Sequence, residues 1–293
     1  MSAEPNFALL GKLTAQDISF VQTWENPVMS EFIAASAGGV MVIGAVVVIA
    51  LLTYYRGWRA LWCDWLTSVD HKKVGIMYIV VAFVMLSRAI IEAVLMRYHQ
   101  SIAVNDPGVL SPDHFGQLFS THGSIMIFFV AMPFVSGIMN YIMPQQIGAR
   151  DVSFPLLNAI SLWLTAAGAA LVMISLVVGQ FSTGGWTAYP PYTGIEFSPG
   201  EGVDYWIWSI SLSSVGSTLT GLNFATTIYK NRAPGMTLFR MPLFCWTTLC
   251  TSILMIFAMA PLTIATLMLA LDRYAGFHFF TNDEDRRKYV ELV

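Results

Sequence analysis

Residues 74–96 read VGIMYIVVAFVMLSRAIIEAVLM, an apolar run broken only by Arg88 and Glu92. At 1.5 Å of rise per residue, such a helix crosses a hydrocarbon core of ~30 Å. Its two charges are four residues apart and share one helix face. Five further stretches have similar length and apolarity, at about 32–55, 118–143, 153–178, 206–229 and 243–271. None alternates with the period of a barrel strand. A lipid-exposed segment must satisfy its own backbone, so the spans are helices. The expected fold is an all-α, polytopic transmembrane bundle of about six spans. A polar segment (1–31) precedes it and a polar tail (272–293) follows it.

Composition supports this. The chain of 293 residues is 56% hydrophobic and only 11% charged, against about 25% charged for a soluble domain. A net charge of -3 and the absence of long Lys/Arg tracts exclude a nucleic-acid partner. Cys63, Cys245 and Cys250 have no metal-ligand spacing, and their odd number argues against a disulfide framework. The first apolar run follows Glu25 and Glu31 and precedes Arg56 and Arg59, the reverse of a signal peptide; a retained span is expected.

Lys and Arg set the direction. Arg56, Arg59, Lys72 and Lys73 lie in the 56–73 loop, Arg150 in 144–152, and Lys230, Arg232 and Arg240 in 230–242. The 180–205 loop has no Lys or Arg and is rich in Gly, Pro and aromatics. These biases place the three basic loops in the cytoplasm and the N-terminus and 180–205 outside. The tail breaks the pattern, because it carries Arg273, Arg286, Arg287 and Lys288 on the side predicted to face outward.

Entering from the cytoplasm at Val74, the second helix raises Arg88 by about 21 Å and Glu92 by about 27 Å. Both fall in the outer half. The next helix runs back inward and brings His114, Gln117 and His122 to the same level. Buried charge of this kind marks either a functional site or a structural ion pair. His122 is either a metal or haem ligand, with Gly123 allowing close approach of a flat macrocycle, or a hydrogen-bonded structural residue. Near the cytoplasmic side, Asp151 sits in a short loop, with Asn140 just before it and Tyr78 on the second span. Asn158, Ser161 and Thr165 form a stripe spaced by three and four. The stripe suits a file of waters or polar contacts between helices.

Several segments carry a resemblance: WLTSVDHKKVGIMY (65–78), FSTHGSIMIFFVAMPFVSGIMN (119–140), QIGARDVSFPLLN (146–158), AYPPYTGIEFSPG (188–200), GVDYWIWS (202–209) and RAPGMTLFRMP (232–242). Together they resemble subunit I of the haem-copper terminal oxidases, most of all the cytochrome-o-type, ubiquinol-oxidising branch. The resemblance runs from about Leu51 to Asn282, and the additional first span also resembles that branch. It implies that His122 is an axial ligand of a low-spin haem b, and that Arg88, Glu92, His114 and Gln117 bind ubiquinol. Glu92 stands where the family commonly has Asp. The resemblance further implies a proton channel with its mouth at Asp151, narrow asparagines at Asn140 and Asn158, and an upper lining of Ser161, Thr165 and Tyr78.

The implied protein is a multi-pass, proton-pumping ubiquinol oxidase subunit of a bacterial-type inner (plasma) membrane. Its partners are membrane lipid, ubiquinone or ubiquinol, and other oxidase subunits. The family continues into a His-Pro-Glu-Val-Tyr helix and further histidines that hold copper, a second haem and the second ligand of the first. This chain has none of these, and its last histidine is His278. The expectation is a truncated or partial chain, inactive alone. The alternatives are a non-catalytic remnant or assembly piece, and a haem-free transporter using Glu92 and Asp151 as a proton relay.

Overall fold

The computed structural model describes residues 29–102 and 108–280. These form seven principal helices: α1 (Met29–Tyr54), α2 (His71–Ile102), α3 (Pro112–Ser124), α4 (Met132–Gln146), α5 (Pro155–Val178), α6 (Gly202–Lys230) and α7 (Leu243–Ala275). No strand occurs among the described residues. The expected 1–31 segment lies outside them up to residue 28, as does the tail beyond residue 280.

Wide π-helical turns over Ile125–Ala131 join α3 to α4, so Pro112–Gln146 is one continuous span. The wide turns end just before Pro133. Proline has no N–H to give the carbonyl four residues back, and its ring crowds that carbonyl. Widening the preceding turns relieves the clash without breaking the helix.

Five helical segments are long and apolar enough to cross a membrane: Ser36–Tyr54, His71–Ile102, Pro112–Gln146, Pro155–Val178 and Leu243–Ala275. The sixth expected span, α6, has the length but not the apolarity. The reason is its position. It packs along both α5 and α7, and buries Ser209, Ser211, Ser213, Ser217, Thr220, Asn223 and Thr227. Most of these groups bond within the bundle. Ser211 Oγ donates to Thr266 Oγ1 of α7 at 2.8 Å. Asn223 and Thr227 serve the first turn of α5, accepting from the amides of Phe154 and Ser153 at 3.0 and 2.8 Å. A helix surrounded by helices can be polar where a lipid-facing one cannot.

Close approach at glycine seats α2 against α4. A Cβ on Gly75 would lie 2.8 Å from the Gly137 carbonyl oxygen, and one on Gly137 would lie 2.7 Å from that of Gly75. The two backbones touch directly, which lets their side chains interlock.

The helix α7 extends past the apolar block to Ala275 and carries Arg273, which composition had grouped with the polar tail. Arg273 is only 4% exposed. It is a buried partner of Asp204 on α6, not a loop charge, and its conflict with the charge bias disappears.

Candidate functional site

Two polar clusters lie at opposite ends of the bundle. The first is built on α2. Arg88 Nε donates to Glu92 Oε1 at 2.7 Å, and its Nη1 donates to the Val172 carbonyl of α5. Both side chains are buried, Arg88 at 8% exposure and Glu92 at 3%. Glu92 Oε2 has no hydrogen-bond partner. A buried carboxylate oxygen without a donor is costly unless something else supplies one.

The helix α3 brings the remaining residues of this end. Ser111 caps it, accepting from the His114 amide at 3.2 Å, and Pro112 fits the first turn, where no N–H is needed. A cavity of about 460 Å³ opens between α1, α2, α3 and α5. Apolar side chains, among them Val40, Met41, Ile91, Leu95 and Leu176, make most of its wall, and Arg88, Glu92 and His114 supply its polar end. Three of the four residues expected to bind quinol therefore meet at one cavity. Gln117 does not line it. It lies in the adjoining wall, on a small cavity shared with Arg88 and His114.

His122, two helical turns further on, places its ring Nδ1 3.0 Å from the Ala89 carbonyl oxygen of α2. With Nδ1–H donated there, Nε2 carries the lone pair, the arrangement by which a carbonyl orients a metal-binding imidazole. The chemistry of this donor would fit a haem iron. The space beside Gly123 is taken by Trp186, whose Cβ would lie 3.2 Å from an added methyl. Among the described residues, no three His, Cys, Asp or Glu side chains are grouped to hold a metal ion.

The second cluster starts at Asp151, whose Oδ1 accepts from the Val152 amide at 2.7 Å and lies 3.2 Å from His71 Nδ1. His71 is 3% exposed and its Nε2 has no partner. Deeper in, Asn158 Nδ2 donates to Asn140 Oδ1 at 2.7 Å, and Asn140 Nδ2 to the Ser136 carbonyl at 3.1 Å. The two amides touch directly and link α4 to α5. Asn158 Oδ1 is left without a partner. Beyond them, Tyr78 OH donates to Ser161 Oγ at 3.0 Å and lies 3.3 Å from Thr220 Oγ1. Thr165 Oγ1 donates to the Ser161 carbonyl at 3.0 Å. Each hydroxyl has one proton, and Thr220 Oγ1 lies 3.1 Å from the Gly216 carbonyl, so it donates either there or to Tyr78 but not to both. Of the six residues expected in a channel, Asn140 meets Asn158 and Tyr78 meets Ser161, with Thr165 one turn further along α5, while Asp151 meets His71 and the Val152 amide.

His71 and Thr220 belong to this cluster although sequence reading passed over both. His71 sits in the charged run Asp70–Lys73 and reads as loop. Thr220 carried a usable signal, since Ser213, Ser217 and Thr220 repeat on α6 the three-and-four spacing of the α5 stripe. The Asp204–Arg273 pair joins residues far apart in sequence and had none.

The fold and its buried charges define a polytopic helical membrane protein with polar sites at both ends. Residues 73–290 match the family described as Cytochrome C and Quinol oxidase polypeptide I, and the chain belongs to that family. It is 50% identical over 288 residues to the cytochrome bo(3) ubiquinol oxidase subunit 1 of Buchnera aphidicola subsp. Acyrthosiphon pisum, covering 97% of this chain and 42% of the relative. It is 54% identical over 258 residues to the ubiquinol oxidase subunit 1 of Acetobacter aceti, covering 87% and 39%. A probable cytochrome c oxidase subunit 1 of Bradyrhizobium diazoefficiens is 48% identical over 275 residues, covering 94% and 40%. The chain thus spans about two fifths of the length of these relatives.

Proposed function

We propose that this chain is the N-terminal part of subunit I of a proton-pumping ubiquinol oxidase in a bacterial plasma membrane. Its N-terminus and 180–205 loop face outward and Asp151 faces the cytoplasm. The observation that carries the reading is the cavity at which Arg88, Glu92 and His114 meet. Its apolar wall suits the ring and tail of a quinol. Its polar end offers guanidinium donors for one quinol oxygen, and the free Glu92 Oε2 accepts the hydrogen of a hydroxyl. Oxidation of one ubiquinol to ubiquinone releases two electrons and two protons. Glu92 and His114 are the nearest groups to take those protons.

His122 would hold a low-spin haem b, which when bound accepts electrons one at a time and passes them on. His122 itself is fixed by the Ala89 carbonyl. Dioxygen reduction, with copper and a second haem, belongs to the complete protein and its other subunits. At the opposite end, Asp151 collects protons from water, with Asn140, Asn158, Ser161, Thr165 and Tyr78 offering donors and acceptors inward.

The test is Arg88→Leu in an intact oxidase carrying this segment. Ubiquinol turnover is expected to collapse while the low-spin haem spectrum is retained, because Arg88 is not a ligand. Unchanged turnover would mean that Arg88 and Glu92 are only a structural ion pair.

A further inference from the structure

The stretch between α1 and α2 does not pack into the bundle. No residue from 55 to 70 is buried. Neither the helical turn Trp58–Ala60 nor the wide turns Leu61–Leu66 that follow it bury a side chain. The stretch is nevertheless rich in apolar surface. Trp58, Trp62 and Trp65 are 46, 63 and 36% exposed, and Tyr54 and Tyr55 lie open at the end of α1. Aromatic surface gathered in this way marks a contact with something outside the bundle.

The stretch is nonetheless held in shape. Trp58 Nε1 donates to Thr53 Oγ1 at 3.0 Å, which ties it to the last turn of α1. Lys73 Nζ donates to the Asp64 carbonyl at 2.7 Å, which ties the wide turns to the first turn of α2. Both α1 and α2 are apolar enough to cross a membrane, and the stretch joins the end of one to the start of the next. Its two ends therefore stand at the same face of the bilayer, and it lies along that face.

Its charge is the second observation. Arg56, Arg59, Lys72 and Lys73 stand beside two carboxylates, Asp64 and Asp70. The ion pairs among the described residues use neither Arg56 nor Arg59. Arg56 sits in the left-handed region, with φ 53°. Its amide donates to the Thr53 carbonyl and that of Gly57 to the Leu52 carbonyl, at 3.2 and 2.8 Å. In this kind of helix ending, glycine is the usual residue at the left-handed position; here a guanidinium occupies it. Aromatic rings at the headgroup level and cations against lipid phosphates are two ways in which a chain holds to a bilayer surface. A docked subunit would have to strip water from both arginines, which is costly. Phosphates at a wet surface would not.

We propose that residues 55–66 form an interfacial foot in the headgroup layer of the cytoplasmic leaflet, where Arg56 and Arg59 hold the phosphate of an anionic phospholipid between the tryptophans. The leaflet rests on the orientation proposed above; the foot itself does not.

The test uses the intact oxidase, with native mass spectrometry counting retained lipid as phosphatidylglycerol or phosphatidylethanolamine is added. The parent should hold phosphatidylglycerol in preference. Arg56→Gly combined with Arg59→Gln should weaken phosphatidylglycerol binding by about tenfold and leave phosphatidylethanolamine binding unchanged. Glycine suits the left-handed position, so this variant keeps the turn, and an unfolding midpoint equal to the parent's shows that lipid and not fold was lost. Arg56→Lys combined with Arg59→Lys keeps both charges and should stay near the parent. Equal phosphatidylglycerol retention by the parent and the doubly neutralised variant overturns the proposal. Cys63 is exposed within the foot, and a nitroxide attached to it in phosphatidylethanolamine–phosphatidylglycerol vesicles reads depth, with Cys63→Ser as the blank. The label should report headgroup depth. A label fully open to a water-soluble nickel chelate puts the foot in water, and one shielded from both the chelate and oxygen puts it under another subunit; either result overturns the proposal. An impermeant thiol reagent reads orientation separately. Reaction of Cys63 from the outer side would refute the cytoplasmic leaflet and the orientation proposed above, while phosphatidylglycerol retention would still decide the foot.

Discussion

Arg273 Nε lies 2.7 Å from Asp204 Oδ1, and the rest of its guanidinium ends on the carbonyls of Thr193, Ser198 and Gly200 at 2.9, 2.8 and 3.1 Å. One buried cation therefore closes α7 onto α6 and holds down the far half of the 180–205 loop. Breaking a buried pair by removing one partner strands the other charge and costs about 3–5 kcal/mol. Arg273→Leu should lower the thermal unfolding midpoint of the oxidase strongly. Arg273→Leu combined with Asp204→Leu should recover part of that loss. A double variant no more stable than Arg273→Leu would show that the lost loop contacts, not the stranded charge, dominate.

What was legible in the sequence follows from what each signal measures. Apolar blocks report contact with lipid, so 74–96 and 153–178 stood out while the helix ends did not: α2 runs from His71 to Ile102, beyond its apolar block. The spacing of Arg88 and Glu92 on one face was enough to foresee their pairing, because a helix fixes residues four apart. Level arithmetic brought His114 to them, since adjacent antiparallel spans share depth. It could not separate His114, on the cavity, from Gln117, behind it, because that depends on which face of α3 meets α5. Asp204 with Arg273 and Asp151 with His71 are tertiary encounters between distant segments, and no local period announces them.

The contact of Gly75 with Gly137 gives a packing prediction. Gly137→Ala places a methyl against the Gly75 carbonyl and, at 2.7 Å, against Ile79 Cγ1. Neither backbone can yield without moving a whole span, so overpacking should cost about 1–3 kcal/mol. Gly39→Ala, where nothing lies within 4 Å, is the control and should be neutral. The comparison is made by denaturant unfolding in detergent; equal stability of the two variants would refute the close approach.

Glu92→Gln keeps the size of the side chain and an acceptor for Arg88 Nε, but it removes the charge and the basic oxygen left unpartnered. If that oxygen accepts a proton from quinol, turnover should fall by about 10²-fold, a typical contribution of a positioned base. The low-spin haem spectrum should be unaltered. Turnover within about twofold of the parent would assign proton acceptance elsewhere, with His114 the next group on the cavity.

The last prediction concerns the opposite end. Asp151 Oδ1 meets two neighbours, the Val152 amide at 2.7 Å and His71 Nδ1 at 3.2 Å. Asp151→Asn preserves shape, and its amide oxygen can still accept from Val152, so the loop should fold as before. What is lost is the carboxylate that can take a proton from water and release it inward. The next polar groups, Asn140 and Asn158, do not titrate and touch each other at 2.7 Å. They can order water but cannot replace a proton donor. In sealed vesicles, the Asp151→Asn oxidase should therefore take up and pump fewer protons per electron, with quinol affinity spared because that cavity lies at the other end of the bundle. His71→Ala separates this from a surface ion pair. His71 is buried, so its loss lowers stability, but it should leave pumping in place if Asp151 alone collects protons. The same number of protons per electron in Asp151→Asn as in the parent, at equal turnover, would remove Asp151 from the channel.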